Sequence, residues 1–117
     1  MHESDKTWLA GQKERALANG ESESGIKSAS DGMNYSGGKL IETIVRQDLT
    51  KTFASSRVPY CVIQGQFDLN TPTSAAKGYF ETVKAPRKFY AQIDNAGHFA
   101  FSTHPNEFIA QLKMCLG

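Results

Sequence analysis

At 117 residues, with 13 basic against 12 acidic side chains and a formal net charge of +1, the chain is one domain or a piece of one. It has no charge imbalance that would draw it to nucleic acid or to an anionic membrane surface. No run approaches the roughly 18 apolar residues of a membrane span, and MHESDKTWLAG is not a cationic start followed by an apolar run, so a soluble, cytoplasmic chain is expected.

In chain order, residues 5–19 carry Trp8, Leu9, Ala16 and Leu17 at helical spacing, with Asp5 early and Gly20 after the end, which predicts a surface helix. Residues 20–38 are rich in Gly and Ser and poor in apolar side chains, which predicts a flexible loop or linker. Leu40, Ile41, Ile44, Val45, Leu49 and Phe53 then recur at steps of three and four, the stripe of one amphipathic helix over 39–53.

The period changes after that. RVPYCVIQG is a β-branched and aromatic run closed by Gly65, a buried strand. Thr71 as N-cap and Pro72 at the first helical position open a helix whose inner face is Ala75, Ala76, Tyr79, Phe80 and Val83. APRKFYAQID reads as a second strand, and a last helix starts at Pro105 and runs through Phe108, Ile109, Leu112, Met114 and Leu116. The order β-α-β-α makes the two strands parallel, with a right-handed crossover. The expected organisation is therefore a helical segment over 1–54, including the 20–38 loop, followed by an α/β lobe over 55–117.

Cys61 and Cys115 both lie in apolar segments and read as small buried hydrophobes with free thiols, and no Cys/His spacing fits a metal. Neither a metal nor a cofactor is expected. In an open parallel sheet, catalytic groups gather beyond the carboxyl ends of the strands. Asp68 follows the first strand, and His98 stands at the equivalent place after the second. An Asp that accepts from one imidazole nitrogen fixes the tautomer and leaves the other nitrogen free to take a proton from a nucleophile. On the residues alone, a capping Asp and a surface His remain an alternative. His104 reads as a helix start, His2 as part of a disordered terminus, and Trp8, Phe99 and Phe101 as packing groups, with Phe99 the candidate to border a substrate pocket.

VPYCVIQGQFDLNTP followed by GYFETVKAPRKFYAQIDNAGHFAFSTHPNEFIAQL resembles the C-terminal end of an α/β-hydrolase, in the prolyl aminopeptidase-like branch. The resemblance covers residues 57–116 and rests on a Gly-x-x-Asp loop after one strand and a Gly-His-Phe loop after the next. It implies a partial α/β-hydrolase fold, with Asp68 as the acid and His98 as the histidine of a catalytic triad. The segment before residue 54 is less clearly similar to the later part of that family's helical cap.

The family's nucleophile is a Ser in a Gly-x-Ser-x-Gly elbow between a strand and a helix, and no such motif occurs here. Ser36 in NYSGG has Asn34 where the first Gly belongs, no apolar strand leads into it, and it lies only 32 residues before Asp68. It reads as a loop serine. Two functions follow as expectations. One is the C-terminal portion of a serine aminopeptidase-like hydrolase, inactive by itself, whose parent acts on a peptide or a small amide or ester. The other is a truncated binding or assembly module without catalysis. Self-association, or association with the missing half, is expected in either case.

Overall fold

A computed structural model describes residues 1–117. The elements in order are α1 (Glu3–Ala10), α2 (Gln12–Ala18), α3 (Glu23–Val45), α4 (Leu49–Thr52), β1 (Tyr60–Gly65), α5 (Thr73–Thr82), β2 (Lys88–Ile93), α6 (Ala100–Thr103) and α7 (Pro105–Leu116). They fall into two compact units, one of Met1–Leu9 with Leu49–Gly117 and the other of Ala10–Asp48.

The first unit is a mixed α/β structure. β1 and β2 form a two-stranded parallel sheet in the register Tyr60↔Lys88 through Gly65↔Ile93. Side chains alternate across a strand, so Cys61, Ile63, Phe89, Ala91 and Ile93 share one face, and Tyr60, Val62, Tyr90 and Gln64 share the other. The first face carries the core, where Ile93, Ala96 and Ala100 pack with Ile63 and with Phe108 of α7. On the second face the rings of Tyr79 and Phe80 in α5 lie 6.0 and 6.2 Å from Tyr60, and Phe80 lies 5.5 Å from Tyr90. One helix therefore covers each face, the arrangement that short, apolar parallel strands require. A bridge from Ser55 to Lys84, with the Ser56 amide donating to the Lys84 carbonyl at 2.7 Å, prolongs the pairing ahead of the strands.

Several local expectations need correction. The 20–38 segment is helical rather than a loop, because α3 covers nearly all of it. Its Gly and Ser content hid the devices that hold a helix. The Ser22 hydroxyl accepts from the Gly25 amide at 3.0 Å as an N-cap, Lys13 pairs with Glu23 at 3.1 Å, and Lys27 and Glu42 pair four residues on with Asp31 and Arg46. The helix expected over 39–53 is divided between α3 and α4. Its apolar residues, from Leu40 to Phe53, are each between 43% and 69% exposed, so no packing holds the stripe in one helix. Likewise 5–19 is two helices parted at Gly11. Thr71 is not the cap of α5, which starts at Thr73 after Pro72; the Thr71 side chain is bonded to Asp68 instead. His2 is ordered, its ring stacked 5.3 Å from Phe67.

Cys61 and Cys115 are not free thiols. They form a disulfide between β1 and the end of α7, with their Cα atoms 6.2 Å apart and 54 residues apart in sequence. Spacing in sequence carries no sign of the pair, since it depends on where α7 docks. No helix is long and apolar enough to cross a membrane.

Candidate functional site

Two loops leave the carboxyl ends of the strands and are sewn to each other by backbone bonds. The Gln66 amide donates to the Ile93 carbonyl and the Phe67 amide to the Ala96 carbonyl, both at 2.9 Å, and the Asn95 amide donates to the Gln66 side chain at 3.1 Å. Asn95 takes φ of 54°, a left-handed turn that Asn tolerates. Gly65 has to be glycine, since a Cβ there would run into the carbonyl oxygens of Gly97 and Ala96. This close approach of main chain to main chain is what brings residue 68 beside residue 98.

Asp68 and His98 meet as the spacing predicts. His98 Nδ1 lies 3.1 and 3.0 Å from the two carboxylate oxygens of Asp68. The Asp68 side chain is only 4% exposed, whereas the imidazole is 35% exposed. The carboxylate also accepts from the Asn70 and Thr71 amides at 3.0 and 2.9 Å and from the Thr71 hydroxyl at 2.7 Å. Burial by itself pushes the Asp68 carboxyl upward, but the Thr71 amide and hydroxyl and the His98 ring outweigh it and hold the group below the usual carboxylate range. It is therefore ionised at neutral pH and can only accept, so the proton between the pair sits on Nδ1. Nε2, on the far side of the ring, is not engaged by Asp68, and in the neutral Nδ1–H form it would carry the lone pair.

Behind the pair runs a supporting chain of bonds. The Tyr90 hydroxyl donates to Gln64 Oε1 at 3.1 Å, Gln64 Nε2 donates to the Thr71 carbonyl at 3.0 Å, and Thr71 in turn holds Asp68. Gln64 is buried, so this link from the sheet face to the loop is shielded from water. An aromatic cluster flanks the imidazole. Phe99 lies 5.1 Å from the His98 ring, and Trp8 of α1 lies 4.7 Å from Phe99 and 6.4 Å from Phe101.

One residue at this site escaped the sequence analysis. Asp5 is 2% exposed, and its carboxylate accepts from the His98 amide at 2.8 Å and the Phe99 amide at 3.1 Å. As an early acidic residue in a helix it reads as a dipole partner, and only the fold places it under a loop 93 residues away. Ser36, by contrast, sits within α3, in the other unit. His104 occupies the start of α7, as its neighbour Pro105 implies. No group of three or more His, Cys, Asp or Glu side chains could hold a metal ion.

No family model and no solved structure matches the chain. A Bacillus subtilis (strain 168) protein described as a probable aminopeptidase, YbaC, is 28% identical over 83 residues, which take in 71% of this chain and 26% of that protein. The chain thus spans about a quarter of the length of the curated relative it matches.

Proposed function

We propose that this chain is the C-terminal portion of a serine hydrolase of the α/β-hydrolase kind, acting on the N-terminal residue of a peptide or on a related amide or ester. Asp68 is the acid of its relay and His98 the base. The observation that carries this reading is the pairing of His98 Nδ1 with a buried, ionised Asp68, with Nε2 not engaged by Asp68 and the ring partly exposed. In that state Nε2 takes the proton of a serine hydroxyl as the oxygen attacks the carbonyl carbon. Asp68 stabilises the imidazolium that results, and Nε2 then delivers the proton to the leaving amine. The nucleophile and the oxyanion donors belong to residues outside this sequence, because it contains no Gly-x-Ser-x-Gly elbow.

The test has two arms. Nucleotide sequence upstream of Met1 is expected to continue the reading frame through a Gly-x-Ser-x-Gly motif, and the longer product is expected to cleave aminoacyl amides. Asp68→Asn in that product should lose about ten-thousand-fold in turnover while keeping its melting temperature, the loss that a wrong tautomer brings in a triad. An interrupted frame, or near-normal turnover of the folded variant, overturns the proposal. A second reading, a binding module without catalysis, draws on the exposed apolar residues Met33, Leu40, Ile41, Ile44 and Val45 of α3.

A further inference from the structure

Asp5 is a carboxyl side chain taken almost wholly out of water, a placement that is costly unless the group is well bonded. Its partners are main-chain donors at the entry to α6, whose N-cap is Phe99. They are the amides of His98 and Phe99, one bonded to each carboxylate oxygen. The position on the other side of the contact is also specialised. A Cβ at Gly97 would collide with the Asp5 carboxylate and with His2 Cβ, so the missing side chain at 97 is what lets the carboxylate reach the two amides.

We infer that Asp5 is a positioning residue for His98: it clamps the His98 and Phe99 amides so that the imidazole meets Asp68 in the Nδ1–H tautomer. The inference rests on the reading of Asp68 and His98 as acid and base. Asp5 itself touches no reacting atom. Its effect passes through the backbone, since the His98 amide fixes the Cα from which two torsions carry the ring to Asp68. The Phe99 amide fixes the next residue, whose ring packs on both the imidazole and Trp8. Trp8 lies three residues after Asp5 in α1, so the helix that supplies the clamp also supplies the ring against which the loop rests. A carboxylate suits this task because both its oxygens accept. An Asn has one acceptor and one NH2, and that NH2 would face an amide that also donates.

The experiment uses the 117-residue chain labelled with nitrogen-15. Hydrogen exchange of the His98 and Phe99 amides and the ring-nitrogen shifts of His98 are read in the unaltered chain, in Asp5→Asn and in Asp68→Asn. In the unaltered chain both amides are expected to be protected and the ring to be a single Nδ1–H tautomer. Asp5→Asn is expected to speed exchange at 98 and 99 by about tenfold or more, the scale of one lost bond to a charged group, and to turn the ring into a mixture of tautomers. The amides of β1 should keep their protection. A purely structural Asp5 would lower protection throughout and leave the tautomer alone, and that outcome, or no change at all, overturns the inference. Unprotected amides at 98 and 99 in the unaltered chain overturn it without any variant, so a failure of Asp5→Asn to fold does not shelter it. If Asp68→Asn retains the Nδ1–H tautomer, the pairing of Asp68 with His98 falls instead, independently of Asp5.

Discussion

The hydroxyl of Thr71 donates to Oδ2 of Asp68 at 2.7 Å, the shortest of the hydrogen bonds that this carboxylate accepts. It makes Thr71 part of the site rather than part of a helix cap. Thr71→Val keeps the shape of the side chain and removes only the donor. The variant is expected to lose about 1.5–3 kcal/mol at neutral pH, the range for a bond to a charged group, read from urea midpoints. An unchanged midpoint would show that water replaces the hydroxyl freely.

The same bonds set a pH dependence with a definite sign. Asp68 titrates below its ordinary value in the folded chain, so the unfolded state takes up its proton first as pH falls. The stability that Asp68 contributes is complete above the ordinary Asp value of about 3.9 and disappears as pH drops through the lower folded value. Thr71→Val should move the folded value back toward the ordinary one and so reduce the acid-labile part. Carboxyl-carbon NMR titration of both chains checks this; an Asp68 that titrates at or above the ordinary value in the unaltered chain contradicts it.

Gly65→Ala is expected to destabilise the chain by about 1–3 kcal/mol or more, because the atoms that its Cβ would strike are main-chain carbonyls that cannot turn aside. The damage should centre on the loop that bears His98, seen as faster exchange of the amides at 96–99 relative to those of α5. A variant with unaltered stability would mean that β1 and the 94–99 loop can separate at little cost.

Reduction of the Cys61–Cys115 bond opens a loop of 54 residues, for which the chain-entropy account gives a loss of up to about 4 kcal/mol. Urea unfolding with and without reductant should differ by about 2–4 kcal/mol, with the reduced chain the weaker. Two thiols titratable in the folded, unreduced chain would remove the bond from the structure.

Each strand of the sheet has one edge without a strand partner, and Val58 and Leu69, near the two ends of β1, are 65% and 69% exposed. On the proposed reading these edges and the apolar residues of α3 are covered in a larger protein. The chain alone is then expected to pair with a second copy and keep its fold as a dimer rather than as a monomer. Light scattering coupled to size exclusion at micromolar concentration decides this. A sharp monomer peak with strongly protected amides at 61–64 would refute it.

Local pattern was enough for β1, α5, β2 and α7 of the α/β lobe, while the short α6 was not read. A β-branched run needs only its own residues to read as a strand, and the β-α-β order dictates parallel pairing, so the places of Asp68 and His98 beyond the carboxyl ends of β1 and β2 were legible. The tertiary structure decided what depends on residues far apart. It brought Asp5 under the His98 loop, joined Cys61 to Cys115, moved Thr71 from a cap to a carboxylate and left the stripe from Leu40 to Phe53 exposed. The segment before α4 misled for a related reason: composition counts its Gly and Ser as disorder, while a cap at Ser22 and ion pairs four residues apart act one at a time and hold it helical. Periodicity reports which face of an element is apolar, but the partner of a buried carboxylate or thiol depends on where the chain returns, and no local window contains that.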